Sequence, residues 1–395
     1  MGRHQEGYIW RVGRSWFARW REDSLDANGR VVRKQRCEKI AEYCDLYRSK
    51  ADVRPLLAEK LRPLNEKKLS PKSTLSLAQY AKDFFLPHAE RECKPSTAVG
   101  YKGLWSTYLA GQRDTQIRLR DFRCVDATNL LADIHRKDGL GRTTLKHIKS
   151  LLSGIFTYAK QQGVMDGMNP VRDAGIPRAA SAPEETYAVS ADEVLAILDV
   201  LERAKEFQAR AAVALVFFAG LRPGEARGAR WEDYDGQRLT IKHSVWRTHT
   251  TDPKNRNAAK PVPVIESLRT ILTELRKTEG YPAKGPILRG PSGVALNLDN
   301  LAKRRLVPTL SNPENYPQPE NAELLKWNGW YSLRRGIATL ASSVERDPMA
   351  AKGLLRHSSV NTTLAHYIKD IPEVTQRAME KVEALLARGT KSSAN

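Results

Sequence analysis

Acidic residues are the scarce ones in this chain. Forty-five Asp plus Glu stand against 65 Lys plus Arg, a formal net charge of +20 over 395 residues. A deficit of that size invites a polyanionic partner, because neutralising phosphates releases counterions; a merely basic or ribosome-attached protein is the alternative. Cysteine is sparse too. Cys37, Cys44, Cys93 and Cys124 are the whole complement, all in the first third and none in a C-x-x-C pair. They fit neither a disulfide framework nor a zinc knuckle, and read as buried or incidental thiols in a reducing compartment. No apolar run approaches the ~18 residues of a membrane span, and the first residues lack a secretory apolar region. The expected location is cytoplasmic, nucleoid-associated when bound to DNA. Missing as well are a P-loop, an H-E-x-x-H and an acidic metal cluster.

What is present is ample apolar material, 41% of residues beside 28% charged. The length calls for two or three domains, and the pattern predicts a mainly α chain with small β-sheets. Residues 1–62 read as a small β-sheet plus helix. Tyr8, Trp10 and Val12 share one strand face, Trp16, Ala18 and Trp20 another, and Asn28-Gly29 marks a hairpin before Val31. Arg11, Arg14, Arg19, Arg21, Arg30, Arg33 and Lys34 project from this sheet; they suit contact with DNA or plain solvation. A basic helical stretch is expected over 38–61, then a polar linker between Pro63 and Pro71. Residues 73–175 read as helices only, with Leu145, Ile148, Leu151, Leu152, Ile155, Phe156 and Ala159 as one apolar stripe. Lys102, Lys146 and Lys149 fall on polar faces, open to phosphate contact or solvent. Residues 172–185 look like a linker.

The third block, 186–388, opens on a capping box at Ser190 and Glu193. An apolar helix over 211–218 ends at Gly220, and Pro223 suits the first turn of a short helix. Strands are expected over 238–246 and 260–264, flanking a polar hairpin tip. Helices follow over 266–277, 299–306, 333–342, 347–355, 362–368 and 372–387, with 389–395 a disordered tail.

Five residues in this block sit in short distinctive settings. Arg222 lies in Gly220-Leu221-Arg222-Pro223-Gly224-Glu225, where its planar fork can hold two phosphate oxygens and Glu225 can orient it. Taken alone this is equally an ordinary Arg–Glu pair. Lys254, on the hairpin tip, can protonate a leaving alkoxide, although loop-tip lysines are commonly just solvated. Arg334, in Trp330-Tyr331-Ser332-Leu333-Arg334-Arg335, is a second candidate clamp, with Arg335 facing bulk charge or DNA backbone. His357, in Leu355-Arg356-His357-Ser358-Ser359, can hydrogen-bond a phosphate oxygen. Tyr367 follows on the next predicted helix, where a lone tyrosine is more often core.

Together, and in this order, Arg222, Lys254, Arg334, His357 and Tyr367 resemble the tyrosine recombinases, or phage-type integrases. The likeness covers the third block; the helical second block is similar to their core-binding domain and the basic sheet, more weakly, to their arm-binding domain. It implies a site-specific DNA recombinase in which Tyr367 attacks the phosphorus, Arg222 and Arg334 clamp the phosphate and Lys254 protonates the departing 5′ oxygen. A 3′-phosphotyrosyl link stores the bond energy until a partner strand's 5′-hydroxyl reverses the attack, without ATP or metal. The two larger domains would close on the duplex as a C, and the helix over 372–387 would dock on a neighbour in a homotetramer spanning two DNA sites. Directionality or DNA-bending factors are open. Two positions depart from the pattern. Tyr331 stands where the family commonly has His, and a phenol with an unperturbed pKa of about 10 is a poor base. Either His357 shares the proton work or Tyr331 only positions the phosphate. Arg356 stands where the family usually has Gly. The alternatives are a catalytically inert DNA-binding regulator on the same fold and a type IB topoisomerase-like enzyme that rejoins the same strand.

Overall fold

The computed structural model describes residues 4–26, 29–66, 70–182, 186–252, 260–290, 292–321, 323–345 and 348–356. Lys254, His357 and Tyr367 lie outside the described residues, as do the predicted helices over 362–368 and 372–387 and the tail. By its internal contacts the chain divides into two compact units, Met1–Glu184 and Glu185–Asn395.

The first unit begins with a three-stranded antiparallel sheet in the order β1 (Tyr8–Val12), β2 (Ser15–Leu25), β3 (Val31–Glu42). Strand alternation sends Trp16, Ala18 and Trp20 of β2 to one face, and Ile9, opposite Ala18, joins them. Helix α1 (Lys50–Asn65) covers that face with Val53, Leu57 and Leu61. The face carrying Tyr8 and Trp10 is the open one: their rings stack with 6.0 Å between centroids, and Trp10 stacks on Phe17 at 5.9 Å. The helix expected from residue 38 starts later. Residues 38–42 stay in β3 because they pair with 15–18 of β2. Helix α1 waits for Ser49, whose side chain caps the Asp52 N–H while the Asp52 carboxylate accepts the Ser49 N–H. Pro63 does not stop it, and the helix runs on to Asn65.

Glu22 points from β2 into the unit's interior and is 4% exposed. Its carboxylate accepts from Arg36 on β3, from Arg118 at 3.0 Å and from Arg120. The carboxylate thereby ties the sheet to the helical block. Glu22→Ala leaves the Arg120 guanidinium, 9% exposed, only the longer 3.9 Å pair with Asp121 among the described residues. A broken buried pair of this kind costs about 3–5 kcal/mol, so urea unfolding of the first unit should show a clearly lower midpoint.

The helical block comprises α2 (Leu77–Tyr80), continued through a π turn at Ala81–Phe85 into α3 (Leu86–Glu92), then α4 (Pro95–Leu104), α5 (Cys124–Asp138) and α6 (Arg142–Gln161). The predicted stripe from Leu145 to Ala159 on α6 is fully buried and forms the middle of the block's core. The stretch expected as a linker from 172 packs on this core as far as 181. Ala174 and Ala180 are buried, Lys149 Nζ donates to the Ala174 carbonyl at 2.7 Å, and the Arg142 N–H donates to Ser181 O at 3.0 Å. Small apolar side chains let this irregular backbone lie against helices while its polar groups find partners.

The second unit opens with α7 (Ala191–Arg203), capped reciprocally by Ser190 and Glu193. Helix α8 (Phe207–Phe217) is buried from Ala209 to its end and forms the core's axis. After α9 (Pro223–Gly228) come two separate ribbons in place of the single hairpin expected. Strand β4 (Arg238–Leu239) pairs with β7 (Val262–Pro263), while β5 (Ser244–Trp246) pairs with β6 (His249–Thr251). The extra hairpin arises because Arg247 adopts φ +52, allowing a two-residue turn between Trp246 and His249. Helices α10 (Glu266–Thr278), α11 (Leu298–Leu301), α12 (Val307–Leu310), α13 (Trp330–Glu345) and α14 (Pro348–Leu355) follow among the described residues of the unit. No described helix is long and apolar enough to cross a membrane.

Candidate active site

The site is assembled where α8 ends. Gly220 turns the chain at φ +57, and Arg222 then serves as the N-cap of α9 with Pro223 in its first turn. Glu225, 2% exposed, reaches back from that turn. Its Oε2 accepts the Arg222 N–H at 3.0 Å and its Oε1 accepts Arg222 Nη1 at 2.7 Å. One carboxylate therefore caps the helix and orients the guanidinium, whose side chain keeps 20% exposure.

Arg334 comes to the same place from α13. It has no exposure at all, and its guanidinium donates to two main-chain carbonyls: Nη1 to Gly220 and Nη2 to Leu355, the latter at 2.8 Å. It links the turn that carries Arg222 to the end of α14. The two expected clamps are thus unequal: solvent reaches Arg222, whereas Arg334 is embedded in the scaffold. Helix α13 can come close because Gly336 has no side chain; a Cβ there would collide with the Val189 carbonyl oxygen.

The residue after α14 closes the cluster. Arg356 has φ +54 and a side chain only 4% exposed, and its Nη2 donates to Glu225 Oε2 at 2.7 Å. Burial lowers the pKa of this guanidinium; Glu225 opposes that shift, and the charge of Arg222 adds to it. An arginine nevertheless stays protonated. Glu225 is consequently shared by two cations, one on each side of the site.

Gly220 underlies both bonds. A Cβ there would meet Leu354 Cδ2 at 2.9 Å, and its left-handed φ is strained for any L side chain. Gly220→Ala should destabilise the second unit by about 1–3 kcal/mol, read as a fall in the thermal midpoint, with weaker DNA-dependent activity as the Arg334 bond is displaced.

Tyr331 lies one turn before Arg334 and is 48% exposed. Arg335, expected to face bulk charge, donates Nε to the Tyr187 carbonyl at 2.6 Å and fastens the start of this unit to α13. Lys254 lies outside the described residues, and the β5–β6 hairpin that precedes it in sequence is anchored by a residue that sequence reasoning missed. Arg227 on α9 donates to the carbonyls of Leu296 at 2.8 Å, Val245 at 3.1 Å and Arg247 at 2.8 Å, tying the β5–β6 hairpin down. No motif marks such a residue, because its partners are main-chain atoms of a distant hairpin.

In the first unit the basic candidates separate by face. Arg19, Arg21 and Arg33 share the open face, with Arg19 over the Tyr8 ring at 4.9 Å. Arg11 and Lys34 fall on the other side, Arg11 lying 4.6 Å over the Tyr43 ring; Arg14 is exposed in the β1–β2 turn. Lys102 pairs with Glu90 at 3.2 Å. Lys146 and Lys149 line an open groove with His88, Ser153, Thr157 and Arg172.

No family model matches the chain. In sequence it is 22% identical over 323 residues to a tyrosine recombinase XerC-like protein of Caldanaerobacter subterraneus subsp. tengcongensis, a match covering 74% of this chain and 78% of that protein. It is 28% identical over 293 residues to the tyrosine recombinase XerC of Bradyrhizobium diazoefficiens, covering 70% and 84%. In fold it is similar to a Tn1549 transposon integrase solved with transposon right-end DNA, with a TM-score of 0.60 at 18% identity over 78% of this chain and all of the other. It is also similar to a lambda integrase dimer bound to a core site, with a TM-score of 0.54 at 18% identity over 92% of this chain and 95% of that one.

Proposed function

We propose, for a chain similar in sequence to tyrosine recombinases and in fold to solved integrases, the function of a site-specific recombinase that integrates or excises a phage or other mobile element through a 3′-phosphotyrosyl intermediate. The observation that carries this reading is the cluster of guanidiniums around Glu225. Arg222 is half-buried, reached by solvent and oriented, and Arg334 is locked to the turn beside it.

In this mechanism a DNA phosphodiester sits on Arg222, with the charge of Arg334 acting from the buried side. Negative charge gathers on the non-bridging oxygens as the phosphorus becomes five-coordinate, and fixed cations lower that barrier without reorganising. The Tyr367 phenol passes its proton to His357 as its oxygen bonds to phosphorus. The bond to the 5′ oxygen breaks, and Lys254 protonates that oxygen. His357 and Tyr331 hydrogen-bond the phosphate, His357 sharing the proton work. A 5′-hydroxyl from the partner strand then attacks the phosphotyrosyl link and returns the proton. The helical domain over 73–175 binds core-type DNA and the sheet over 1–62 arm-type DNA, Arg19, Arg21 and Arg33 acting from its open face. Assembly is a homotetramer on two sites; one of the similar lambda integrase structures is a tetramer bound to a Holliday junction. The protein works in the cytoplasm, on the nucleoid.

The test is a nicked duplex carrying the DNA that borders this reading frame, so that the cleaved strand's short fragment diffuses away and the covalent adduct accumulates. A band shifted by the attached strand supports the function. Its absence on every bordering sequence points to an inert regulator, while relaxation of supercoiled plasmid without recombinant product points to a topoisomerase-like enzyme.

A further inference from the structure

We propose that Arg356 is a positioning residue: by holding one oxygen of Glu225 it keeps that carboxylate from pairing fully with Arg222, leaving Arg222 charge and donors for a DNA phosphate. The proposal rests on the function just given and concerns its phosphate site.

Three observations converge on it. Arg356 adopts φ +54, a conformation natural for glycine and unfavourable for a long side chain, so something beyond the backbone holds it there. Among the described residues its buried guanidinium makes one ion pair, to Glu225, and Nε and Nη1 have no hydrogen-bond partner. A buried charge paired so sparingly is a poor stabiliser of the fold. Finally, the bond geometry divides one carboxylate between two cations. Arg222 reaches Oε1 through Nη1 alone, while Oε2 is taken by Arg356 and by the Arg222 main chain. An arginine fork facing a free carboxylate would close on both oxygens and be largely neutralised. With Arg356 on Oε2 that fork stays open, and two cations sharing one anion leave a surplus positive charge beside the partly exposed Arg222 guanidinium. A surplus held in this way awaits an anion, and a phosphate has the oxygens to take the remaining donors.

The variants are Arg356→Gly, which relieves the backbone, Arg356→Lys, which keeps the charge, and Glu225→Gln combined with Arg356→Gly, which removes the competing carboxylate. Each full-length protein is titrated with inorganic phosphate, followed by calorimetry and thermal midpoint, and separately tested for the rate of adduct formation on the nicked duplex. The expected result is that Arg356→Gly keeps its midpoint but binds phosphate and forms adduct at least about tenfold less well, a loss of about 1.4 kcal/mol. Arg356→Lys should lie between wild type and Arg356→Gly, and the double variant should recover most of the loss. A purely structural salt bridge would show the reverse: a lower midpoint and no recovery when Glu225 is neutralised. That outcome, or unchanged phosphate binding and cleavage in Arg356→Gly, overturns the proposal. If wild type forms no adduct while phosphate affinity still follows the Arg356–Glu225 series, the recombinase function fails and this proposal stands. Adduct formation that is equal in wild type and Arg356→Gly removes the positioning role and leaves the recombinase function intact.

Discussion

Tyr367→Phe will form no covalent adduct with DNA while still binding it with wild-type affinity. The substitution removes one oxygen, the atom that bonds to phosphorus in the proposed mechanism, and keeps the ring and the net charge. Nucleophilic catalysis has no partial form here, because phenylalanine offers no lone pair. In the proposed function binding draws instead on the +20 net charge and on the basic sheet face and lysine-lined groove of the first unit. The measurement pairs denaturing-gel detection of the adduct with a gel-shift titration on the same nicked duplex. Residual adduct in Tyr367→Phe would mean that another residue attacks and that the mechanism is wrong at its first step.

Arg334→Lys has the second largest expected effect and separates charge from shape. Lysine keeps the cation, but a single ammonium on a flexible stem cannot reproduce a planar fork. The fork joins the carbonyls of Gly220 and Leu355 across the site with no solvent access. Leaving either carbonyl orphaned costs about 1–3 kcal/mol, and a badly placed ammonium adds to that, so the thermal midpoint of the second unit should fall. Adduct formation should fall further than stability does. In the proposed mechanism the Arg334 charge acts on the phosphate from the buried side. Losing a fixed group of that kind, by comparison with an oxyanion donor, costs about 2.7–4 kcal/mol, or roughly a hundred- to a thousandfold in rate. The check is single-turnover cleavage at a temperature where circular dichroism shows the variant folded. Wild-type rates there would show that Arg334 acts only through the scaffold, and that its charge contributes nothing to the phosphate.

Both expectations draw on residues that stand out in the amino-acid chain itself. Short-range patterning makes them so. The Arg222–Glu225 spacing places the pair one helical turn apart, and the bond that spacing implies is formed. Likewise the Ser190–Glu193 cap, the buried α8 and the stripe of α6 follow from rules that operate within a few residues. The expectations that the fold overturns concern elements whose extent depends on distant partners. Strand β3 extends over positions that read as helix because β2 is long enough to pair with them. The stretch from 172 lies on helices as far as 181, since α6 offers it an apolar surface and donors. The β5–β6 hairpin carries no local signal because its turn depends on one arginine at positive φ.

From sequence alone came the mainly α class with a small leading sheet, the basic character and the order of the candidate reactive residues. These rest on composition and on periodicities that span one helical turn or one strand. Tertiary structure decided that Arg334 is buried while Arg222 is not, that Arg227 secures a hairpin, and that Arg356, uninterpretable in the string of letters, shares the carboxylate of Glu225 across 131 positions. Contacts of that range depend on where helices cross and which backbone turns admit a neighbour, and no local pattern encodes them.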